Sequence, residues 1–164
     1  MKLELLIGNI ASGKSTYCKM RAEEGAIIVN DDSLVNSLHA NNYQLYSDAL
    51  KPLYKSVENS IISTALSMNL SVIIDRPNHT MSMRRRYVGI AKSFDVPVHA
   101  IKFQWEAPFV HAKRRVKSDS RGFDEAYWTS VAQYHEDGYE IIDSNECFDK
   151  IAFWNFDDKK LEIM

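Results

Sequence analysis

A chain of 164 residues with 45% hydrophobic and 26% charged side chains can bury a full core, which excludes a disulfide-stapled miniprotein and a disordered tail. Its formal net charge of −2 excludes a bulk polyanion binder, and no apolar run approaches the ~18–20 residues of a membrane span. Cys18 and Cys147 give neither a metal spacing nor a disulfide framework, so both are expected to be reduced.

In chain order, Lys2–Ile7 is a short apolar run ending at Gly8 and predicts a buried strand. It is too short and too acidic for a signal-peptide core, so the expected location is cytoplasmic. Ser12–Glu24 predicts a helix stopped by Gly25, and Ala26–Val29 a second strand. Ser33–Leu38 reads as a short helix and Asn41–Ser47 as a loop. Over Asp48–Met68, Leu50, Leu53, Tyr54, Val57, Ile61, Ile62, Ala65 and Leu66 recur at three- and four-residue steps. They predict a long amphipathic helix with Pro52 in its first turn.

Leu70–Ile74 predicts a third strand, Met81–Phe94 a helix with a possible break at Gly89, and Val98–Phe103 a fourth strand. Ala107–Lys117 reads as a basic helix, Ser118–Gly122 as a loop, Asp124–His135 as a helix and Cys147–Phe153 as the last strand. Alternating strands and helices predict an α/β fold in three layers, with a mostly parallel five-stranded sheet in one domain spanning 1–164. Ligands of such sheets lie at the carboxyl ends of the strands, here after Ile7, Val29 and Ile74.

The first of these ends carries Gly8-Asn9-Ile10-Ala11-Ser12-Gly13-Lys14-Ser15, a full match to G-x-x-x-x-G-K-S/T, followed by Thr16. Glycines let backbone N–H groups turn inward at a helix start, where the dipole favours phosphate. Lys14 then supplies a cation between the β- and γ-phosphates of ATP or GTP, and the Ser15 hydroxyl a ligand for Mg²⁺. Thr16 or backbone N–H groups can hold the α-phosphate.

After the second strand, Asp31 and Asp32 can either accept the proton of an attacking hydroxyl or cap a helix. The two can divide the labour, with Asp31 as base and Asp32 or Ser33 as cap. Asp75 ends the third strand and is read as facing metal or substrate, or as a turn residue ahead of Pro77. Residues 76–121 hold eleven Lys/Arg against three Asp/Glu, and residues 122–164 the reverse, three against eleven. This predicts either a basic face or a mixed solvated surface. Lys113, Arg114, Arg115, Lys117 and Arg121 offer a cationic lid over about 107–123, although helical spacing lets only some face inward. At least two of Arg84, Arg85 and Arg86 are expected on a solvated face. The five histidines show no metal or triad spacing and read as structural or surface residues. Trp105, Trp128 and Trp154 read as core or rim.

Taken in order, Gly8–Thr16, Val29-Asn30-Asp31-Asp32, Ile73-Ile74-Asp75-Arg76-Pro77-Asn78, Arg84-Arg85-Arg86-Tyr87, Arg114-Arg115 and Ser120-Arg121-Gly122 resemble the kinase domain of phage polynucleotide kinase and the P-loop kinases around it. The resemblance runs over nearly the whole chain. It implies that Lys14 and Ser15 bind ATP and Mg²⁺ and that Asp31 is the general base on the 5′-hydroxyl of a nucleic-acid end. It also implies that Asp32, Asp75 and Asn78 lie on the substrate side, and that Arg121 with Arg114 or Arg115 closes over the β- and γ-phosphates. The family's arginine three residues after the base is Leu34 here, which opens a second expectation, a small or modified hydroxyl acceptor. A third is a nucleotide-binding regulator that transfers nothing. With no phosphatase domain in the sequence, any end-healing is expected to be kinase-only.

Overall fold

A computed structural model describes residues 1–119 and 121–163. The centre of the molecule is β1 (Leu3–Ile7), buried along its whole length. It pairs in parallel with β3 (Val72–Asp75) on one side and β4 (Val98–Lys102) on the other. With β2 (Ile27–Asn30), β5 (Lys150–Asn155) and β6 (Lys160–Ile163) they form one six-stranded sheet in the order β2-β3-β1-β4-β5-β6. All pairs are parallel except β5–β6, which is antiparallel. The expected five strands become six because the chain turns back after Asn155, whose side-chain oxygen accepts from the N–H groups of Asp157 and Asp158. The last parallel strand starts at Lys150 rather than Cys147, since Cys147 adopts a left-handed backbone (φ 60°) that ends a 3₁₀ turn.

Alternation along the central strands fills two cores. Leu3, Leu5, Val72 and Ile74 face α3 (Lys51–Ser67) and α4 (Met81–Ser93) through Ile62, Leu66, Tyr87 and Val88. Leu6, Ile73 and Ile101 face the other way, onto Tyr17 and Cys18 of α1 (Lys14–Glu23) and onto Phe103 and Trp154. A strand buried on both faces is what a parallel sheet covered by helices requires. Glu4, the exception in β1, is fully buried and is met by Lys2 at 2.7 Å, Arg21 at 3.3 Å and the Tyr17 hydroxyl at 2.9 Å.

Several element bounds differ from expectation. The first helix begins at Lys14, not Ser12, because Gly13 is left-handed (φ 96°) and serves as its N-cap. The second, α2 (Asp31–Leu38), begins two residues early because Asn30 caps it, accepting from Ser33 N at 3.0 Å. The cap expected at Asp32 or Ser33 is therefore supplied by Asn30, which leaves both aspartate side chains free of capping. The segment before α3 holds two 3₁₀ turns, Tyr43–Leu45 and Asp48–Leu50, and α4 passes through Gly89 without a break. On the far side of the sheet's carboxyl end, α5 (Pro108–Ser118) packs chiefly against α6 (Glu125–Asp137).

Of the three consecutive arginines, only Arg85 is exposed. Arg86 pairs with Glu58 at 2.6 Å. Arg84 is fully buried and grips Glu146 with two bonds, Nε–Oε2 at 2.6 Å and Nη2–Oε1 at 2.7 Å, while Nη1 donates to the carbonyls of Asn78 and His79. The pair ties α4 to the 3₁₀ turn Ser144–Glu146 ahead of β5. A buried guanidinium that loses its carboxylate keeps its desolvation cost. Glu146→Ala is therefore expected to destabilise the fold by about 3–5 kcal/mol, read from the midpoint of urea unfolding.

Candidate functional site

The phosphate loop is shaped before any ligand arrives. Ala11 (φ 47°) and Gly13 (φ 96°) both take left-handed backbone, turning successive amides toward the start of α1. No side chain caps that helix, so its first N–H groups remain available to an anion. Gly8 is required by close approach: a Cβ there would lie 2.8 Å from both Phe103 Cβ and Ser12 Oγ. Asn9 is fully buried, and its side chain bridges the loop to α6 by donating to the Ala132 carbonyl at 2.9 Å.

Lys14 folds back over the loop. Its Nζ donates to the carbonyls of Gly8 at 2.9 Å and Asn9 at 2.5 Å, with Ser12 Oγ at 3.4 Å. Burial lowers its pKa to about 8, with the Asp75 carboxylate pulling the other way. The ammonium is thus held by neutral carbonyls and waits for an anion.

A hollow of about 560 Å³ opens above the loop. Its walls include Ile10 through Thr16, Asp31, Asp32, Asp75, Arg115 and Arg121. Residues from three strand ends and from the expected lid therefore meet in one space. Asp75 is positioned by Asn30, whose Nδ2 lies 3.1 Å from both its backbone oxygen and its Oδ2. Burial first, and the Asp75 carboxylate nearby second, raise the Cys18 thiol's pKa, so Cys18 stays neutral beneath Asp75. Asp31 pairs with Arg76, whose guanidinium is itself held by the Tyr87 hydroxyl at 2.8 Å and Glu58 at 3.6 Å. Asp32 meets Arg121 at 3.4 Å and Arg115 at 3.8 Å.

Four expected site residues lie elsewhere. Arg114 points out and pairs with Glu106, leaving Arg115 as the α5 residue that faces the hollow. Asn78 is fully buried below it, where Nδ2 donates to the Leu6 carbonyl at 2.8 Å and joins β1 to the chain leaving β3. Gly8 and Asn9 shape the loop from beneath and do not line the hollow. Ser120 lies outside the described residues.

Trp128 and His135 do line it and were not singled out. Trp128 is almost fully buried and carries Arg115 at 4.8 Å and Arg121 at 5.0 Å over its ring, so it seats both lid arginines. The helical spacing of Trp128, Val131 and His135, all on one face of α6, was the available signal. Among the described residues no group of three His, Cys, Asp or Glu side chains could cage a metal, and no helix is long and apolar enough to cross a membrane. Ser15 and Asp75 fit a Mg²⁺ shared with phosphate oxygens, the usual arrangement for this hard, reluctantly dehydrated cation.

The fold and this site define a P-loop kinase domain. Residues 3–137 match the AAA domain family, and the chain belongs to it. The bifunctional polynucleotide phosphatase/kinase of Schizosaccharomyces pombe is 30% identical over 103 residues, which is 63% of this chain and 21% of that protein. Among solved structures, a chain of the Pnkp1/Rnl/Hen1 RNA repair complex aligns with TM-score 0.65 and 19% identity, covering 85% of this chain and 46% of that one. A chain of the PezAT toxin-antitoxin system of Streptococcus pneumoniae aligns with TM-score 0.70 and 18% identity, over 98% of this chain and 69% of that one. The chain thus spans about a fifth of the yeast protein and under half of the repair-complex chain.

The lowered pKa of Lys14 has a measurable consequence. A bound triphosphate favours the charged ammonium, so the complex holds its proton to higher pH than the free protein. The Lys14 contribution to nucleotide affinity is expected to be level well below pH 8 and to fall up to about tenfold per pH unit as Lys14 deprotonates above it. Calorimetry at pH 7.5 and 9.5 in buffers of different ionisation heat should record a larger proton uptake at the higher pH.

Proposed function

We propose that this chain transfers the γ-phosphate of ATP to the 5′-hydroxyl of a nucleic-acid end. The single observation that carries the kinase reading is the meeting of Lys14, Asp31, Asp75, Arg115 and Arg121 around one hollow. The first N–H groups of α1 and the Lys14 ammonium hold the β- and γ-phosphates. Ser15 and Asp75 would hold Mg²⁺, which when bound offsets charge on the transferring group. Asp31 takes the proton of the attacking hydroxyl as the new P–O bond forms and the bond to the β-phosphate oxygen breaks, releasing ADP. Arg115 and Arg121 exchange Asp32 for the phosphoryl oxygens, with Trp128 keeping their planes in place.

The acceptor reading draws on the shape beyond Asp31. Two further hollows, of about 610 and 360 Å³, adjoin the first, and all three share Asp32 and Tyr43 in their walls. Shared walls make them adjoining parts of one trough-like surface beside Asp31. The smaller one borders Asp31 and is edged by Lys51, Lys55, Arg76 and Arg86. Cations from α3 and α4 thus stand near the position where the family's arginine is replaced by Leu34. Tyr43, Tyr46 and Tyr54 form a column along it, with successive rings 5.9 and 5.6 Å apart and tilted by 5° and 20°. Flat aromatic faces beside cations suit an unpaired nucleotide. The polynucleotide substrate of the yeast relative and the RNA repair role of the aligned complex support the same class of acceptor.

The apolar floor of Leu34 and Val35 in that smaller hollow favours one second reading, a small hydroxyl compound of nucleoside type. A single screen separates the two. With labelled ATP, 5′-hydroxyl oligonucleotides are expected to be phosphorylated faster than free nucleosides, and Asp31→Asn to lose at least about a hundredfold in kcat. Transfer to nucleosides alone would establish the second reading. No transfer to either would remove both.

A further inference from the structure

Three histidines surround the phosphate loop, and the reaction described above uses none of them. His79 and His111 are buried, and His135 is partly buried on the last turn of α6, beside Lys14's hollow. The orientation of the His135 ring is fixed by Asn9. The Asn9 Nδ2 donates to the Ala132 carbonyl at 2.9 Å, so its Oδ1 is the atom turned to Ile10 N, at 2.8 Å, and to His135 Nδ1, at 3.1 Å. An acceptor oxygen facing Nδ1 requires the hydrogen on Nδ1. In the neutral ring Nε2 then carries a lone pair, and it forms no hydrogen bond with any described residue.

That arrangement is unfavourable to a phosphate and convertible into a favourable one. A lone pair facing phosphoryl oxygens is repelled, whereas a protonated Nε2 is a charge-assisted donor. The groups facing His135 are Lys14 from α1, His111 from α5, and His79 from the loop before α4, whose ring is 4.9 Å away at 40°. Its neighbour Tyr134 lies 5.9 Å off, and no carboxylate among the described residues offsets the cations. Burial first, and these charges second, lower the His135 pKa to about 4 in the free protein. A bound triphosphate reverses the sign of the local field.

We propose that His135 takes up a proton from solvent as the nucleotide binds and then donates Nε2–H to a phosphoryl oxygen, with Asn9 as the residue that holds the ring for it. This rests on reading the hollow as the nucleotide site and is independent of the acceptor. The sign follows from linkage: the complex binds the proton more tightly than the free protein, so affinity falls as pH rises between the two pKa values. This window lies below that of Lys14, which begins near 8.

The test is calorimetry with the β,γ-imido analogue of ATP and Mg²⁺ at pH 5.5, 6.5 and 7.5, in two buffers of different ionisation heat, on the intact chain and on His135→Gln. The intact chain should take up a large fraction of one proton more than the variant at pH 5.5 and 6.5. Its affinity should fall about tenfold more than the variant's by pH 7.5. Equal proton numbers and equal pH slopes in the two proteins overturn the proposal while leaving the nucleotide site intact. Failure of the intact chain to bind at any pH removes the site reading as well. Long-range ¹H–¹⁵N spectra of the intact chain give a second check that needs no variant. Nδ1–H alone should be seen in the free protein and both N–H groups in the complex, and Nε2–H in the free protein sinks the idea.

Discussion

Lys14 bent over its own loop is the interaction on which the rest of the site depends. An ammonium buried against the Gly8 and Asn9 carbonyls closes the phosphate loop into a ring while no anion is present. The closure is maintained by backbone groups, so the loop needs little rearrangement when phosphate replaces them. Preorganised donors of this kind are effective because their reorganisation cost is met in folding. The surrounding carboxylates are arranged with the same economy. Asp75 is fixed by Asn30, Asp31 by Arg76, and Asp32 by Arg115 and Arg121. Every acid near the phosphate site is therefore already engaged, which keeps repulsion with an arriving triphosphate low.

The cations are organised by pairing rather than by surface display. Of the eleven Lys/Arg in residues 76–121, six are arginines engaged in ion pairs: Arg76, Arg84, Arg86, Arg114, Arg115 and Arg121. One holds the core together, two gather on the buried Glu58, and two guard Asp32. A run of like charge in sequence thus resolves largely into local ion pairs.

Much of the fold was legible because parallel strands and amphipathic helices announce themselves by period, and the phosphate loop by a spacing that few other structures need. The misses share a cause. Asn30 stood just past the expected strand end, yet its short amide does two jobs at once, capping α2 and holding Asp75. Arg84 looked solvated, because nothing local reveals that Glu146, 62 residues later, arrives beside it. Trp128 and His135 act across a helix–loop contact whose partners lie far off in sequence. Propensity and periodicity report what a residue does to its own element. Pairings between distant elements are decided by topology, and an isolated charge or ring does not disclose them. Asn78 errs in the opposite sense, as a motif residue whose role is to join two backbone segments.

Tyr43 stands in the walls of all three hollows, with Arg121 4.9 Å over one face and Tyr46 stacked nearby. It is a partition, not a lining. In the proposed transfer Arg121 would leave that face for a phosphoryl oxygen and uncover the ring on the phosphate side. On the proposed reaction, the phosphate hollow and the acceptor hollow thus have this one ring as their common wall.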